Sequence, residues 1–146
     1  MNILPEILKL LESEKLCFLA TSHKDHPHVC LMNYTYLVEE RQVILSSRVD
    51  TTKVKHIENN PFIAILIYNL GNDVDTPVSC TLYGTATIME RETDQERHYR
   101  ETHYANHSEM GTFIKGENII IIAAHIKHAA LSDIEDNVRT WFLGDR

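Results

Sequence analysis

The sequence predicts an α+β fold in which about six antiparallel strands form a closed or nearly closed β-barrel with flanking helices. Two observations support this fold class. Short turns join most of the strand-like segments, and helical patterns occur at three places only instead of alternating with every strand. The 146 residues contain no internal repeat, low-complexity segment or linker, so we expect a single domain covering 1–146.

The composition narrows the classes of function. The formal net charge is −7, from 14 Lys and Arg against 21 Asp and Glu, and this argues against nucleic acid or an anionic membrane as a partner. No apolar run reaches the roughly 20 residues of a membrane span, and the N-terminus lacks the pattern of a signal peptide. Three cysteines in apolar runs are typical of buried, reduced thiols in a cytoplasmic protein: Cys17, Cys30 and Cys80.

The first part of the chain predicts a helix followed by three antiparallel strands. Apolar residues at helical spacing over 3–14 indicate an amphipathic helix, with Asn2 as its cap and Pro5 in its first turn. Runs of β-branched and aromatic residues, separated by polar turn residues, then indicate the strands. The strands cover 15–22, 28–38 and 42–47, and the turns cover 23–27 and 39–41.

The second part predicts two helices and three more strands. A short helix over 51–59 ends at an Asn-Asn-Pro breaker, and a Thr-x-x-Glu capping box at Thr93 and Glu96 opens a polar helix to about 109. Gly84 lies inside a long strand, where it indicates a bulge or a close backbone approach. The strands cover 62–69, which we expect to be buried on both faces, 78–91, and 118–134 in the centre of the sheet; 70–77 is a loop.

The segment LSSRVDTTKVKHIENNP, from Leu45 to Pro61, carries the clearest functional signal. It gathers hydroxyl groups and cations where a strand leads into a helix, and a helix N-terminus offers unpaired backbone N–H groups and a partial positive charge. A phosphate bound there would gain hydrogen bonds and a favourable dipole interaction. The candidate donors are Ser46, Ser47, Thr51 and Thr52, together with the cations Arg48 and Lys53.

The same segment also has an ordinary interpretation. Ser, Thr and Asp are common caps before a helix, and isolated Lys and Arg are common on protein surfaces. Asp50 would repel a phosphate unless its carboxylate turns away to cap the helix. Taken alone, the segment therefore leaves both a phosphate site and a plain helix start open.

Other candidate sites carry weaker signals. The histidines of HKDHPH, which are His23, His26 and His28, have no cysteine or carboxylate at ligand spacing, so we expect no metal site. His103 and His107 are one helical turn apart but lack the glutamate of a zincin helix. No nucleophile elbow, Walker loop or dinucleotide-binding glycine motif occurs, so the catalytic residues stay unknown.

Three segments resemble the pyridoxamine-phosphate-oxidase-like family of FMN-binding split barrels. They are CFLATSHKDHPHVCLMNYTYL, VILSSRVDTTKVKHIENNPFIAILIY and CTLYGTATIMER, and the resemblance covers about residues 3–143. The middle segment weighs most. It joins a strand that ends in serines, a short loop, Thr-x-Lys at a helix start, Asn-Asn-Pro and an apolar strand.

The resemblance implies a homodimer that binds FMN at its subunit interface, with room for a small-molecule substrate. A partner is also expected because the apolar strands 62–69 and 118–124 exceed what one small barrel needs. The implied FMN contacts are Ser46, Ser47, Thr52 and Lys53 with help from Arg48 at the ribityl phosphate, Leu31, Met32 and Asn33 along the isoalloxazine ring, and Arg139 and Trp141 of the tail at the partner subunit's flavin.

The chain departs from the true oxidases at three places. Its end, WFLGDR, lacks the Arg-Leu-x-Pro type of segment that serves their substrate. Cys30 stands where they have a phosphate-contacting arginine, and Thr52 precedes Lys53 where they have Arg-Lys. Three functions stay open. The favoured one is an FMN-dependent oxidoreductase of unknown substrate, and the others are a flavin-binding module without turnover, such as an electron carrier or stress-related sensor, and a structural dimer that has lost flavin.

Overall fold

The computed structural model describes residues 3–69 and 78–143. Within them, eight antiparallel strands form one curled sheet with helices packed against it, which confirms the predicted α+β split barrel. The predicted cap Asn2 and the predicted loop 70–77 lie outside the described residues.

The helices and strands follow the predicted order, with additions. The helices are α1 Pro5–Ser13, α2 Thr52–Asn59, α3 Asp94–Asn106 and α4 Gly111–Ile114, with a 3₁₀ turn at Ser108–Met110. The strands are β1 Leu16–His23, β2 His26–Asn33, β3 Thr35–Leu37, β4 Gln42–Arg48, β5 Phe62–Asn69, β6 Val78–Ile88, β7 Ile119–Asp133 and β8 Val138–Phe142.

The strand order of the sheet is β2-β1-β5-β6-β7-β4-β3, and β8 pairs with β7. The hairpin between β1 and β2 turns over Lys24 and Asp25, which both have positive φ angles of 48° and 62°. Two such residues are what a two-residue hairpin turn requires. β2 also contacts β4, so the two ends of the sheet meet and nearly close the barrel.

Two apolar clusters hold the sheet and the helices together. The main core fills the inside of the curled sheet and includes Ile7 and Leu10 of α1 and Val54 and Ile57 of α2. A second cluster lies on the other face of β4 and β7, under α3, where Tyr99 packs with three sheet residues. This second cluster means that β4 and the start of β7 are covered on both faces.

The strand count exceeds the predicted six because the run 28–38 is interrupted at Tyr34 and the tail forms β8. The Tyr34 N–H donates to the Lys15 carbonyl oxygen (3.1 Å), and its hydroxyl donates to the Leu11 carbonyl oxygen (2.7 Å). The tyrosine thus stays beside β1 and anchors the end of α1, and from Thr35 onward the chain pairs with β4 instead, which splits the predicted strand into β2 and β3.

The expectation that 62–69 is buried on both faces is wrong. Side chains of β5 alternate: Ile63, Ile65 and Ile67 are buried, whereas Phe62 is 66% exposed and Tyr68 is 40% exposed. The start of β7 is continuously buried, as predicted, but α3 of the same chain covers it. Of the two apolar strands used to predict a partner, only β5 leaves apolar surface uncovered.

Two local predictions about β6 and α3 are confirmed. A Cβ on Gly84 would come within 1.9 Å of the His125 carbonyl oxygen, and the β6–β7 register shifts between Tyr83 and Gly84. Thr93 Oγ1 accepts a hydrogen bond from the Glu96 N–H (3.2 Å), as in a capping box. The helix ends at Asn106 and not near 109, because the 3₁₀ turn follows it.

No helix in the described ranges 3–69 and 78–143 is both long enough and apolar enough to cross a bilayer. All three cysteines have free thiols. Cys17 and Cys80 are buried in the core, as predicted, whereas Cys30 is only half-buried.

Candidate functional site

A pocket of about 240 Å³ lies where β4 leads into α2, at the seam where β2 approaches β4. It brings together seven of the ten residues that the sequence assigned to a cofactor site. These are Leu31, Met32 and Asn33 of β2, Ser46, Ser47 and Arg48 of β4, and Lys53 of α2; Thr51, Met110 and Phe113 complete the wall.

Hydroxyl groups tie the turn between β4 and α2 together. Ser47 Oγ donates to the Arg48 carbonyl oxygen (2.9 Å) and lies 3.2 Å from Thr51 Oγ1. Thr51 Oγ1 donates to the same carbonyl oxygen (3.2 Å). Because Ser46 and Ser47 are buried in the strand and Thr51 is held by the turn, the pocket presents polar groups on a rigid frame.

The start of α2 carries no side-chain cap. Thr51 occupies the N-cap position without a capping hydrogen bond, and no acidic residue stands in the first turn. Lys53 lies in that first turn and is half-buried. The first-turn N–H groups and the Lys53 ammonium therefore create a positive electrostatic potential at the pocket.

Asp50 does not cap the helix, which was the one arrangement named above that would keep its carboxylate from repelling a phosphate. Its carboxylate accepts two hydrogen bonds from Arg48, from Nε (3.1 Å) and Nη2 (2.9 Å). The Arg48 guanidinium holds the pKa of the Asp50 carboxyl below its ordinary value, so the carboxylate stays charged. The charge of Arg48 is thus partly neutralised at the pocket edge, whereas Lys53 has no carboxylate partner among the described residues.

Cys30 lies on β2 near Lys53. Burial raises the pKa of its thiol above the ordinary value, and the nearby Lys53 ammonium offsets only part of that rise. Cys30 is therefore a neutral thiol beside the pocket and supplies no positive charge for an anion.

The apolar wall formed by Met110 and Phe113 was not predicted from the sequence. It comes from the segment after α3, more than 50 residues beyond the strand and helix it faces. A Cβ on Gly111 would lie 2.4 Å from a Tyr104 ring carbon, so a glycine here lets the segment pack closely against α3. Asn33 Nδ2 donates to Met110 Sδ (2.7 Å), which joins this wall to β2.

Three predicted residues lie outside the pocket wall. Thr52 is exposed at the first position of α2, and its neighbour Thr51 lines the pocket in its place. Arg139 and Trp141 lie on β8, which pairs with the far end of β7. Trp141 packs against the main core, and Arg139 Nη1 lies 3.8 Å from Glu6 Oε1 of α1. Their suggested contact with a partner's cofactor stays a prediction.

A larger cavity, of about 440 Å³, lies between the end of α1, β3 and α3. It contains none of the predicted site residues, and Glu12 and Glu14 in its wall disfavour an anion. Over the described ranges 3–69 and 78–143, no three His, Cys, Asp or Glu side chains are arranged to hold a metal ion. The seam pocket is therefore the candidate site.

The curled antiparallel sheet has the architecture of the FMN-binding split barrels. It superposes on an FAD-binding protein from Mesorhizobium loti with a TM-score of 0.74 at 15% identity, covering 86% of this chain and 89% of that one. A haem storage protein from Vibrio cholerae gives a TM-score of 0.72 at 13% identity, covering 97% and 95% of the two chains. At such identities the likeness concerns the fold alone.

The sequence comparisons define the family. The family model described as pyridoxamine 5'-phosphate oxidase matches residues 3–131. A pyridoxamine 5'-phosphate oxidase homolog from Schizosaccharomyces pombe is 27% identical, in an alignment that covers 93% of this chain and 88% of that protein. The chain belongs to the pyridoxamine 5'-phosphate oxidase-like family.

Proposed function

We propose that this protein binds FMN in the seam pocket and acts as a flavin-dependent oxidoreductase on a small-molecule substrate. The observation that carries the proposal is the donor set of the pocket. Serine and threonine hydroxyls, an uncapped helix start and the Lys53 ammonium suit a phosphate dianion, and Leu31, Met110 and Phe113 suit a flat apolar ring. Both halves of FMN therefore find matching chemistry within one pocket.

The proposal includes a homodimer. At about 240 Å³, the pocket is smaller than the roughly 300–1,000 Å³ of typical cofactor sites, so part of the ligand must be covered from elsewhere. Leu31 lines the pocket and is also 57% exposed on the outer face of the sheet. A second subunit on that face would cover both the apolar surface and the remainder of the ligand.

The outer sheet face suits such a partner because two complete cross-strand rows carry no acidic, lysine or arginine side chain. Residues directly opposite one another in a sheet share a face, and twelve of them run across six strands from β8 to β2. The rows are Phe142, His128, Tyr83, Ala64, Ala20 and Val29, and Thr140, Ala130, Thr81, Leu66, Phe18 and Leu31. Apolar surface of this extent commonly marks an interface.

Flavin supplies the electron and hydride chemistry of such a protein when it is bound. The described wall of the pocket contains no histidine, carboxylate, cysteine or tyrosine, and the role proposed for Lys53 is to bind the phosphate, so this chain's residues there bind and orient the ligand. The same observation favours a second candidate function, a flavin-binding module without turnover. FMN-loaded protein that oxidises NADH or NADPH well above the rate of free FMN would exclude the second candidate.

The decisive test is a fluorescence titration of the full chain with FMN, with riboflavin as the phosphate-free control and hemin as a competing ligand class. We expect FMN to bind more tightly than riboflavin and to raise the melting temperature. Lys53→Ala and Ser47→Ala should weaken FMN binding without unfolding the protein, whereas Lys24→Ala in the exposed hairpin turn should not. A wild-type protein that binds hemin but not FMN would overturn the proposal.

The homodimer has its own test. Sedimentation at micromolar concentration should give the mass of two chains. Phe142→Arg places a charge in the outer sheet face, where that side chain is 66% exposed in one subunit, so it should give monomers and lower FMN affinity together. A wild-type monomer that binds FMN with full affinity would contradict the partner.

A further inference from the structure

Arg48 lines the seam pocket, but its guanidinium is engaged by Asp50. The two hydrogen bonds, at 3.1 and 2.9 Å, form a bidentate ion pair between residues separated by a single position. Both side chains are more than 60% exposed, so the pair can open without disturbing buried groups. Exposed ion pairs are worth little, which makes this one easy to exchange for a stronger partner.

A second cation, Lys55 of α2, also acts on Asp50. Its electrostatic effect lowers the pKa of the Asp50 carboxyl, as that of Arg48 does, and is the smaller of the two. If Arg48 leaves, Asp50 therefore keeps a favourable charge beside it. Lys55 is absent from the pocket wall, whereas Arg48 is part of it, so the two cations have different access to a ligand.

We propose that Asp50 lowers the affinity of the pocket for a phosphate, because its carboxylate competes with the phosphate for the Arg48 guanidinium. When a phosphate enters, Arg48 exchanges the Asp50 carboxylate for the phosphate oxygens, and Lys55 retains Asp50 at the pocket edge. The inference rests on the proposed FMN site, and it identifies Asp50 as a residue that acts through Arg48 without touching the ligand. A guanidinium can offer a phosphate the same two-pronged hydrogen bonding that it offers a carboxylate.

The exchange has a consequence that a purely structural ion pair lacks. Phosphate binding must first break the Arg48–Asp50 pair, so Asp50 lowers the affinity for FMN and leaves the affinity for riboflavin unchanged. Since exposed pairs of this kind change an equilibrium by about 1.5- to 5-fold, the effect of removing Asp50 should fall in that range.

The experiment compares FMN and riboflavin affinities of wild type, Asp50→Asn, Arg48→Gln and the double variant by fluorescence titration. Asp50→Asn should bind FMN about two- to fivefold more tightly than wild type, with riboflavin binding unchanged. Arg48→Gln should weaken FMN binding, and Asp50→Asn should gain much less in that background. The matched control is Asp94→Asn, which breaks the similar exposed Arg97–Asp94 pair on α3 (2.6 Å), neither residue of which lines the pocket.

The outcomes separate this inference from the function on which it rests. If wild type binds no FMN, the proposed function fails. If FMN binds but Asp50→Asn leaves its affinity unchanged, or gains equally for riboflavin, the exchange is overturned. An undiminished gain in the Arg48→Gln background would also overturn it, because Asp50 would then act by direct repulsion. Circular dichroism of each variant establishes that the exposed substitutions leave the fold intact.

Discussion

Helices α2 and α3 begin in opposite ways, although a threonine occupies the N-cap position of both. At α3, the Glu96 N–H donates to Thr93 Oγ1, and the Glu96 carboxylate reaches back to accept from the Glu92 N–H (3.1 Å). Asp94 adds a second acidic residue to that first turn. At α2, Thr51 makes no capping bond, and Lys53 puts a cation where the helix dipole disfavours one.

The difference shows which of the two helices finds partners for its N-terminal N–H groups and its dipole within the chain. The start of α3 has a side-chain cap, and carboxylates in its first turn match the helix dipole. The start of α2 carries unmatched positive charge beside buried hydroxyls. Such an arrangement costs stability unless an anion binds, which is the physical basis for assigning the ligand to α2.

A large loss of stability is expected in Glu96→Ala, which disrupts the packing of α3. The Glu96 side chain is buried and pairs with Arg100 Nε (2.6 Å), and Arg100 also donates to carbonyl oxygens of Ile114 and Ile119. Removing the carboxylate leaves a half-buried guanidinium short of its charge partner and should cost about 1.5–3 kcal/mol of unfolding free energy, the range for a hydrogen bond to a charged group. Urea unfolding measures this loss.

The matched control is Glu101→Ala, an exposed position on the same helix, which should change stability by less than about 0.5 kcal/mol. FMN affinity at a temperature where the variant is folded should be unchanged in both. An equal loss at the two positions would show that the buried pair is not what holds α3.

The buried His103 near the C-terminal end of α3 should make the free energy of unfolding decrease as the pH falls. His103 is fully buried, and its Nδ1 is 2.8 Å from Thr35 Oγ1. Burial, followed by the neighbouring His107, lowers the pKa of His103 from 6.5 to about 4. The unfolded chain therefore binds this proton first as pH falls, so the contribution is complete above pH 6.5 and is lost between about 6.5 and 4.

The loss should reach roughly 3 kcal/mol, since one unit of pKa shift corresponds to about 1.4 kcal/mol. Urea unfolding at pH 7 and pH 4.5 measures it. His103→Gln should flatten the pH dependence, although it lowers stability at pH 7, whereas His98→Gln on the exposed face of α3 should not. A wild-type stability that is constant over this range would contradict the assignment.

The two helix starts also show which features of the structure can be predicted from residues that are neighbours in the sequence. The capping box of α3 and the donors around α2 are encoded within a few neighbouring residues, so the sequence predicted both. The split at Tyr34 depends on a contact with Leu11, 23 residues earlier, and the Met110–Phe113 wall depends on a glycine packing against Tyr104. Such long-range contacts leave no periodic signal in the sequence.

The burial of β7 under α3 is another feature that depends on long-range contacts. Its apolar start suggested a partner subunit, yet Tyr99 of α3 covers it within the chain. A polar helix with one large buried aromatic residue gives only a weak apolar stripe, so its docking face could not be read from the pattern. The uncovered surface lies instead on the alternating outer positions of β5 and its neighbours.

Lys53→Glu gives the start of α2 the acidic first turn that α3 has. It therefore tests directly whether the cation at this position serves ligand binding. FMN affinity should fall at least about 100-fold, because a charged hydrogen-bond donor is replaced by a repelling carboxylate. Unfolding free energy should stay constant or rise by about 0.5–1 kcal/mol, since an anion suits the helix dipole. A loss of FMN affinity without a loss of unfolding free energy would show that this cation serves binding and not the stability of the fold.

Fluorescence titration and urea unfolding of the same preparation test both signs. Lys24→Glu in the exposed hairpin turn supplies the matched charge change away from the pocket, and it should alter neither quantity much. A Lys53→Glu variant that lost stability while keeping its FMN affinity would reverse the roles assigned to the two helices.

The smallest effects should come from the two N-cap threonines. Thr93→Ala removes a capping acceptor and should cost about 1 kcal/mol of stability with no change in FMN affinity. Thr51→Ala removes no capping bond, only an exposed hydrogen bond of the turn to the Arg48 carbonyl oxygen, so its cost should be less than about half of that. Because Thr51 lines the pocket, its removal should still weaken FMN binding. Equal stability losses at the two caps would mean that α2 is capped as fully as α3, and the case for an external anion would lose its structural basis.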